Sequence, residues 1–547
     1  MDKKEYSKNV IRLPLFVSLA VAVGILIGAS MADSDNGILN LQKSLYKFKQ
    51  VLTFLENDYV DPVDSDELVE TAISEMLEKL DPHSVYIPAE ELELSKSQLE
   101  GNFEGIGIEF NIFKDTIYVV SALSGGPSEK LGLKSGDKIV KVDGEDVTGN
   151  EINTRKVISL LRGPKGSEVN VGIIRKGFDE LLEFKIIRDV IPQYSVDVQY
   201  MVDDEIGYIK VSRFSATTYM EFKEALTELR SAGMKKLILD LTSNPGGYMD
   251  RAVDIVDELL EDNKMIVYTK GKEARYNAQH LSGNPGDFEK EPIVVMINEG
   301  SASASEIVSG ALQDHDRALI VGRRSFGKGL VQLPISLNDG SELRLTISRY
   351  YTPSGRSIQK PYNSGLEDYH KEYYERFQNG EIYVQDSSKV NDSLAYKTDG
   401  GRIVYGGGGI MPDFFVPLDS SQNSIFLSRL SNSNSIREFA LKYYENHKQE
   451  LEKYSLATFI DQFEVSETML EELLDLSVQN GVKVDQKGFE KSKELISIYV
   501  KAFIARSVWD NEGFYPIFNQ QDEIFQRAVS LMDEATKLAS KGTIKSN

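Results

Sequence analysis

Residues 292–332 constrain this chain more than any other stretch. They read PIVVMINEGSASASEIVSGALQDHDRALIVGRRSFGKGLVQ. The apolar run 292–298 reads as a buried strand, and Ser301, Ser303 and Ser305 follow it among small residues. Ile307, Ala311 and Leu312 then recur at helical spacing. A second short strand, 318–321, leads into a glycine-rich turn, 322–329, that carries Lys328. A strand–turn–helix leaves free N–H groups at the helix start, so a serine there meets a ready site for developing negative charge. Serines in such turns ordinarily cap helices. The lysine between two glycines is what sets this turn apart.

The surroundings narrow the chemistry. A chain of 547 residues suggests about two to four domains. Its net charge of −23 argues against nucleic acid as a partner, because phosphate binding needs a basic surface. There is no cysteine, hence no disulfide, thiolate nucleophile, cysteine zinc site or lipid-anchor cysteine. The five histidines, His83, His280, His315, His370 and His447, form no HExxH pair, which removes the common zinc hydrolases. No metal or cofactor is called for.

Lys3, Lys4, Lys8 and Arg12 precede an uncharged, mostly apolar run, 13–32, long enough to span a bilayer. The basic flank places the N-terminus in the cytoplasm. Gly28, Ala29, Ser30 and Ala32 would permit signal cleavage, but the run exceeds a usual signal core, which favours an anchor. Either way, residues 1–37 put the body on the periplasmic or extracytoplasmic side of the inner membrane. Residues 38–100 read as helical, with Leu41, Leu45, Phe48, Leu52 and Leu55 at helical spacing; they would serve as core or as an arm for a homodimer. Asp81-Pro82-His83-Ser84 reads as a turn with a structural histidine.

From 101 to 190 short strands alternate with glycine turns. Gly105-Ile106-Gly107-Ile108 opens the segment, GLKSGDKIVKVDG follows at 132–144, and a helix over 154–161 ends in Arg162. This order resembles a PDZ domain, which adds a peptide C-terminus as a strand at a sheet edge. The resemblance implies that Gly105 to Ile108 hold the terminal carboxylate, where glycines let successive N–H groups converge. From 191 to 415 strands and helices alternate, as in a largely parallel α/β sheet, with a polar, lid-like insertion over 362–400. Sites in such sheets lie beyond the carboxyl ends of strands, where the loops 242–247 and 299–305 fall. Residues 416–547 read as helical, giving a multi-domain α/β and α+β chain.

A serine hydroxyl becomes a nucleophile only when a base takes its proton, and a lysine can do that only if burial keeps it neutral. GSASASE (300–306), FGKG with VQ (326–332) and NPGG (244–247) together resemble the carboxyl-terminal processing proteases. These are serine peptidases with a Ser–Lys dyad, a crotonase- or ClpP-like core and an inserted PDZ domain; the resemblance covers about residues 40–415. It implies Ser303 as nucleophile, Lys328 as base, Gln332 holding the lysine amine, and oxyanion donors from Ala304 and from a glycine of Gly246-Gly247. It also implies protein substrates with exposed C-termini, and it matches Arg162 to an arginine that couples PDZ position to the active site. Thr242-Ser243 and Arg323-Arg324 depart from the family's usual residues, in neighbourhoods expected to touch the peptide. A silent PDZ scaffold is the alternative. A Ser–His pair with His315 is a third reading that geometry disfavours, since His315 lies twelve residues after Ser303 along the helix that leads away from it.

Overall fold

The structure is a computed structural model that describes Ser18 and residues 36–542, apart from positions 114, 124, 150–151, 364 and 385–391. Apart from Ser18, the apolar run 13–32 lies outside the described residues. Among the described residues no helix is long and apolar enough to cross a membrane. The chain forms two compact units, 1–77 and 78–547. The first holds α1 (Asn36–Asp58) and most of α2 (Ser65–Glu78). Leu41, Leu45 and Phe48 on α1 are exposed.

The second unit opens with a correction. Residues 85–87, expected to be helical, form strand β1 (Val85–Ile87), which pairs antiparallel with a strand of the peptidase-like core. Val-Tyr-Ile is β-branched and aromatic, and strand propensity over so few residues leaves no helical period to detect. Helix α3 (Ala89–Glu100) follows.

The next module runs β2 (Asn102–Gly105), β3 (Ile108–Phe113), β4 (Thr116–Ala122), α4 (Pro127–Leu131), β5 (Lys138–Val142), β6 (Glu145–Asp146), α5 (Thr154–Leu161), β7 (Glu168–Ile174), β8 (Leu182–Ile187) and β9 (Asp189–Pro192). Its sheet has the order β3-β4-β5-β7-β8, with β6 on β5, so β3 is an edge strand. Ile117, Val119, Ile139, Val169 and Val171 fill its core. β2 and β9 pair with each other, so the module enters and leaves along one two-stranded ribbon. This is the strand and helix order expected of a PDZ domain.

The core continues with β10 (Val196–Met201), β11 (Ile206–Val211), α6 (Thr218–Ser231), β12 (Lys236–Asp240), α7 (Met249–Leu259), β13 (Met265–Gly271), β14 (Ala278–Leu281), β15 (Ile293–Ile297), α8 (Ala304–Asp314), β16 (Leu319–Gly322), β17 (Leu330–Ser336) and β18 (Glu342–Tyr351). After it come α9 (Leu366–Gln378), β19 (Ala395–Lys397), β20 (Ile403–Tyr405) and β21 (Phe414–Phe415). The main sheet has the order β10-β11-β12-β15-β16-β21; every pairing is parallel except β10 with β11. A second, antiparallel sheet joins β1, β18, β13 and β14, with β17 also on β18.

The main sheet is buried on both faces, which is why β12 and β15 read as unbroken apolar runs. Leu237, Leu239, Val295 and Ile297 face the cluster that takes in α6, α7 and α8. Ile238, Val294 and Met296 face the opposite way. Fully burying each such side chain contributes roughly 2 kcal/mol.

The C-terminal part comprises α10 (Ile425–Asn432), α11 (Ser435–Leu451), α12 (Leu456–Gln462), α13 (Glu467–Gln479), α14 (Gln486–Phe518, broken at Trp509–Asp510), α15 (Glu523–Ser530) and α16 (Met532–Gly542). The first five share their own core around Phe426, Phe459 and Ile496. Ile524, Phe525 and Ala528 of α15 instead cover the second face of the main sheet. On α14, Arg506 pairs with Glu109 of β3, the edge strand of the PDZ-like module, at 3.1 Å.

Candidate active site

Ser303 sits between β15 and α8, beyond the carboxyl end of the strand, with φ 57° and ψ −111°. A positive φ is costly for a residue with a Cβ, and such strain persists where the surrounding fold enforces it. The neighbouring serines are buried and occupied. Ser301 Oγ donates to Leu241 O (2.7 Å) and accepts from Asn298 N (2.9 Å). Ser305 Oγ donates to Asn244 O (2.9 Å). Only Ser303 of the three is not fully buried. Replacing Ser301 with alanine is therefore expected to lower stability by about 1–3 kcal/mol. Reactivity of Ser303 per folded molecule should stay within about threefold, a shift below 1 kcal/mol. A thermal melt and an active-site titration of the same sample measure both.

The 242–247 loop meets Ser303 from β12. A Cβ placed on Gly246 would lie 2.7 Å from Ser303 Cβ and 2.9 Å from Ala304 N, so a side chain there would fill the space beside the hydroxyl. Gly246 also holds φ +100°, where glycine alone is unstrained. Its own N–H is taken by Asn244 Oδ1 at 2.9 Å, while Asn244 Nδ2 donates to Val211 O. Of the glycine pair expected to supply an oxyanion donor, Gly246 is thus already engaged. Among the described residues the N–H groups of Gly247 and Ala304 have no hydrogen-bond partner.

Lys328 arrives on the loop between β16 and β17. One buried carboxylate ties that loop to Ser303. Glu306 Oε2 accepts from Ser303 N and from Lys328 N, both at 2.8 Å; Oε1 accepts from Gly327 N (2.7 Å) and Ser325 Oγ (2.5 Å). On the other side, Tyr350 Oη donates to Ser303 O (3.0 Å) and to Lys328 O. Burial raises the Glu306 carboxyl above its usual range, against the pull of these four donors. Burial lowers the Lys328 amine below ordinary lysine, reinforced by Arg344 and opposed by Glu306 and Asp81. A depressed lysine is what a general base needs. The sequence reading did not single out Glu306, although a serine followed three positions later by glutamate is the capping-box spacing.

Gln332 departs from expectation. Its Nε2 donates to Thr346 Oγ1 (3.3 Å) rather than to Lys328, and Thr346 Oγ1 donates to Asp81 Oδ1 (2.9 Å). Asp81 also accepts from His83 N, Ser84 N and Ser84 Oγ, so the Asp81–Ser84 turn is hooked onto β18. The His83 ring does more than shape that turn. Its Nε2 bonds Tyr369 Oη on α9 at 2.7 Å, and burial followed by the charge of Lys328 lowers its pKa to about 3. The unfolded chain then binds a proton on His83 below pH 6.5 that the folded chain refuses until about pH 3. Between those limits stability falls by about 1.4 kcal/mol per unit of acidification. Taking the protein from pH 7 to pH 5 should cost wild type about 2 kcal/mol more than His83→Gln, read from denaturant melts of the two at each pH.

Other predicted residues fall as follows. Ile106 and Ile108 are buried in the PDZ-like module, Gly105 pairs with Asp189, and Gly107 holds φ +73°. Arg162 Nη1 donates to Ser97 Oγ of α3 (3.1 Å) and its guanidinium lies 4.4 Å from the Phe103 ring centroid, so it joins the module to α3. Arg323 and Arg324, expected near peptide, turn inward: Arg323 pairs with Glu299, and Arg324 with Glu372 and Glu381. His315 is held by Asp399 and by Met265 O. Among the described residues no cluster of side chains has the makings of a metal site.

A parallel-sheet core that presents a strained serine, a depressed lysine and a PDZ module defines a serine peptidase class, and the comparisons agree. The profile of peptidase family S41 matches residues 205–368, that of the PDZ domain 105–186, and that of the activating protease CtpB N-terminal domain 27–91. Residues 426–510 match a family of unknown function. A carboxy-terminal-processing protease of Bartonella bacilliformis is 40% identical over 346 residues, 61% of this chain and 78% of that one. The carboxy-terminal processing protease CtpB of Bacillus subtilis is 34% identical over 339 residues, 60% of this chain and 68% of that one. Among solved structures, the photosystem II D1 C-terminal processing protease shares 30% identity over 57% of this chain and 83% of its own, with a TM-score of 0.33. The chain belongs to the carboxy-terminal-processing protease family of serine peptidases.

Proposed function

We propose that the chain captures the C-terminal tail of a polypeptide in its PDZ module and cuts near that tail with Ser303 and Lys328. Ser303 Oγ passes its proton to Lys328 Nζ and attacks the scissile carbonyl carbon. The oxyanion takes hydrogen bonds from the N–H groups of Ala304 and Gly247. Collapse breaks the C–N bond, and the leaving amine takes the proton from Lys328. Water, deprotonated by Lys328, then hydrolyses the ester on Ser303. Gln332 exchanges Thr346 for the lysine amine when substrate is bound. The observation that carries this reading is the single Glu306 oxygen that binds the amides of both Ser303 and Lys328, beside a glycine that leaves the hydroxyl open.

Residues 105–108 hold the tail carboxylate, and Arg162 links an occupied module to α3. The 13–32 run anchors the chain in the inner membrane with the body on the extracytoplasmic side, and α1 offers an apolar row to a second copy. The silent-scaffold reading has nothing in its favour, given an intact Ser303, Lys328 and Glu306. The full chain should cut an unfolded protein with an apolar tail about tenfold faster than the same protein with an acidic tail, the factor that about 1.4 kcal/mol supplies. Equal rates would remove tail recognition from this reading, and equal rates with Ser303→Ala would remove the peptidase.

A further inference from the structure

Every peptide group of the loop that carries Lys328 has a partner. The N–H groups of residues 325–329 donate to Ile410 O, Ser301 O, Glu306 (twice) and Gln359 Oε1. The last three carbonyls accept from Lys360 N, Tyr350 Oη and Tyr350 N. The first three, Arg324 O, Ser325 O and Phe326 O, accept from one side chain, the guanidinium of Arg376, at 3.2, 2.8 and 3.1 Å.

Arg376 lies on α9, in the segment read from sequence as a lid-like excursion and beyond the match to the peptidase profile. It is 1% exposed. Its Nε donates to Glu372 Oε1 (2.8 Å), and Glu372 also takes Arg324 and Lys360. The Lys360 amine lies 4.1 and 4.2 Å from the centroids of Phe326 and Tyr369. Tyr369, on the same helix, reaches His83. Helix α9 therefore grips both the lysine loop and the turn beside Lys328, as a packed brace and not as a lid.

We propose that Arg376 is a positioning residue for the general base: its planar fork fixes three consecutive carbonyls and so sets where the Lys328 amine lies and how dry its surroundings are. The proposal rests on Lys328 being the base. Only a guanidinium has donors enough, in one plane, for three carbonyls and a carboxylate. A lysine keeps the charge but cannot make that set of bonds. Unpaired buried carbonyls draw in water, and water at the loop restores the ammonium form of Lys328. The charged and titratable groups facing that amine are Glu306 on α8, Arg344 on β18, and Asp81 and His83 in the turn before β1. None of them is changed by the substitution.

The test follows the rate at which a fluorophosphonate probe phosphonylates the serine of the full chain, with loss of fluoride, and the chain's cleavage of casein, from pH 6 to pH 10. The variants are Arg376→Lys, Arg376→Ala, Lys328→Ala and, as a control, Arg356→Lys. Arg356 is an equally buried arginine that bonds Tyr405 O, Gln313 and Asp314 rather than the lysine loop. Arg376→Lys should lose about tenfold in phosphonylation rate at pH 7.5, with KM for casein unchanged and the rising limb displaced by about one unit to higher pH, as expected when the neutral lysine fraction drops tenfold. Arg376→Ala should lose more, and millimolar guanidinium should return part of its rate. Arg356→Lys should show a lower melting temperature but the wild-type pH profile. If Arg376→Lys melts lower yet keeps the wild-type limb and phosphonylation rate, or if its loss matches that of Arg356→Lys, Arg376 is merely structural and the proposal is overturned. If Arg376→Lys does not fold, guanidinium rescue of Arg376→Ala decides: no rescue overturns it. Phosphonylation of Lys328→Ala at the wild-type rate would overturn the base assignment itself, a separate failure.

Discussion

Lys328→Ala is expected to lose cleavage of an unfolded protein by about ten-thousandfold or more, and Ser303→Ala by a similar factor. The two residues act as one unit, so the double variant should be no worse than the poorer single one. Lys328→Arg should be equally inactive, because a guanidinium does not give up its proton near neutral pH. In wild type, kcat/KM should rise with pH as Lys328 loses its proton and fall away as pH drops through its folded value. That value lies below ordinary lysine because burial disfavours the ammonium. A limb found at the ordinary lysine position, or equal rates for wild type and Lys328→Ala, would remove lysine from the base role.

Glu306→Gln should produce the second large effect. The carboxylate accepts four donors, from Ser303, Ser325, Gly327 and Lys328. An amide of the same shape has one accepting atom and turns a donor toward groups that also donate. Each hydrogen bond to a charged partner contributes about 1.5–3 kcal/mol. Misplacement of a catalytic group by about 1 Å costs on the order of a hundredfold. A drop of at least that size in kcat, together with a lower melting temperature, is expected from steady-state kinetics and a melt. Activity within about threefold of wild type would mean that the shared oxygen does not register the two loops.

The sequence put Ser303 and Lys328 forward through local signals, small residues around Ser303 and glycines around Lys328, with the family resemblance setting the register between them; the structure brings their two loops together on Glu306. What it missed depends on the partner at the other end of a bond. Arg376 donates to main-chain carbonyls, which have no residue identity, so its polar stretch read as a lid-like insertion. His83 looked like a turn residue because its backbone is one, while its ring answers to Tyr369 and Lys328 from remote segments. Gly246 and Gly247 were interchangeable in sequence; a side chain two residues earlier, Asn244, takes the first and leaves the second. Arg323 and Arg324 were placed near the peptide by their position in the family's pattern, and glutamates of the fold, Glu299 and Glu381, claim them instead.

Strand β1 has a consequence for how the molecule is made. Val85 pairs with Arg344, so the second sheet waits for a partner synthesised roughly 260 residues later. At ordinary elongation rates that delay is on the order of ten to fifty seconds. The PDZ module lies between the two strands in sequence and, with its pairings made locally, has time to fold before the sheet that flanks it can close. An apolar strand left unpaired for that long is a hazard for aggregation, and a length of three residues is one of the ways a chain limits it. Order of emergence from the ribosome, and not only packing, thus explains why so short a strand carries the N-terminal link to the catalytic core.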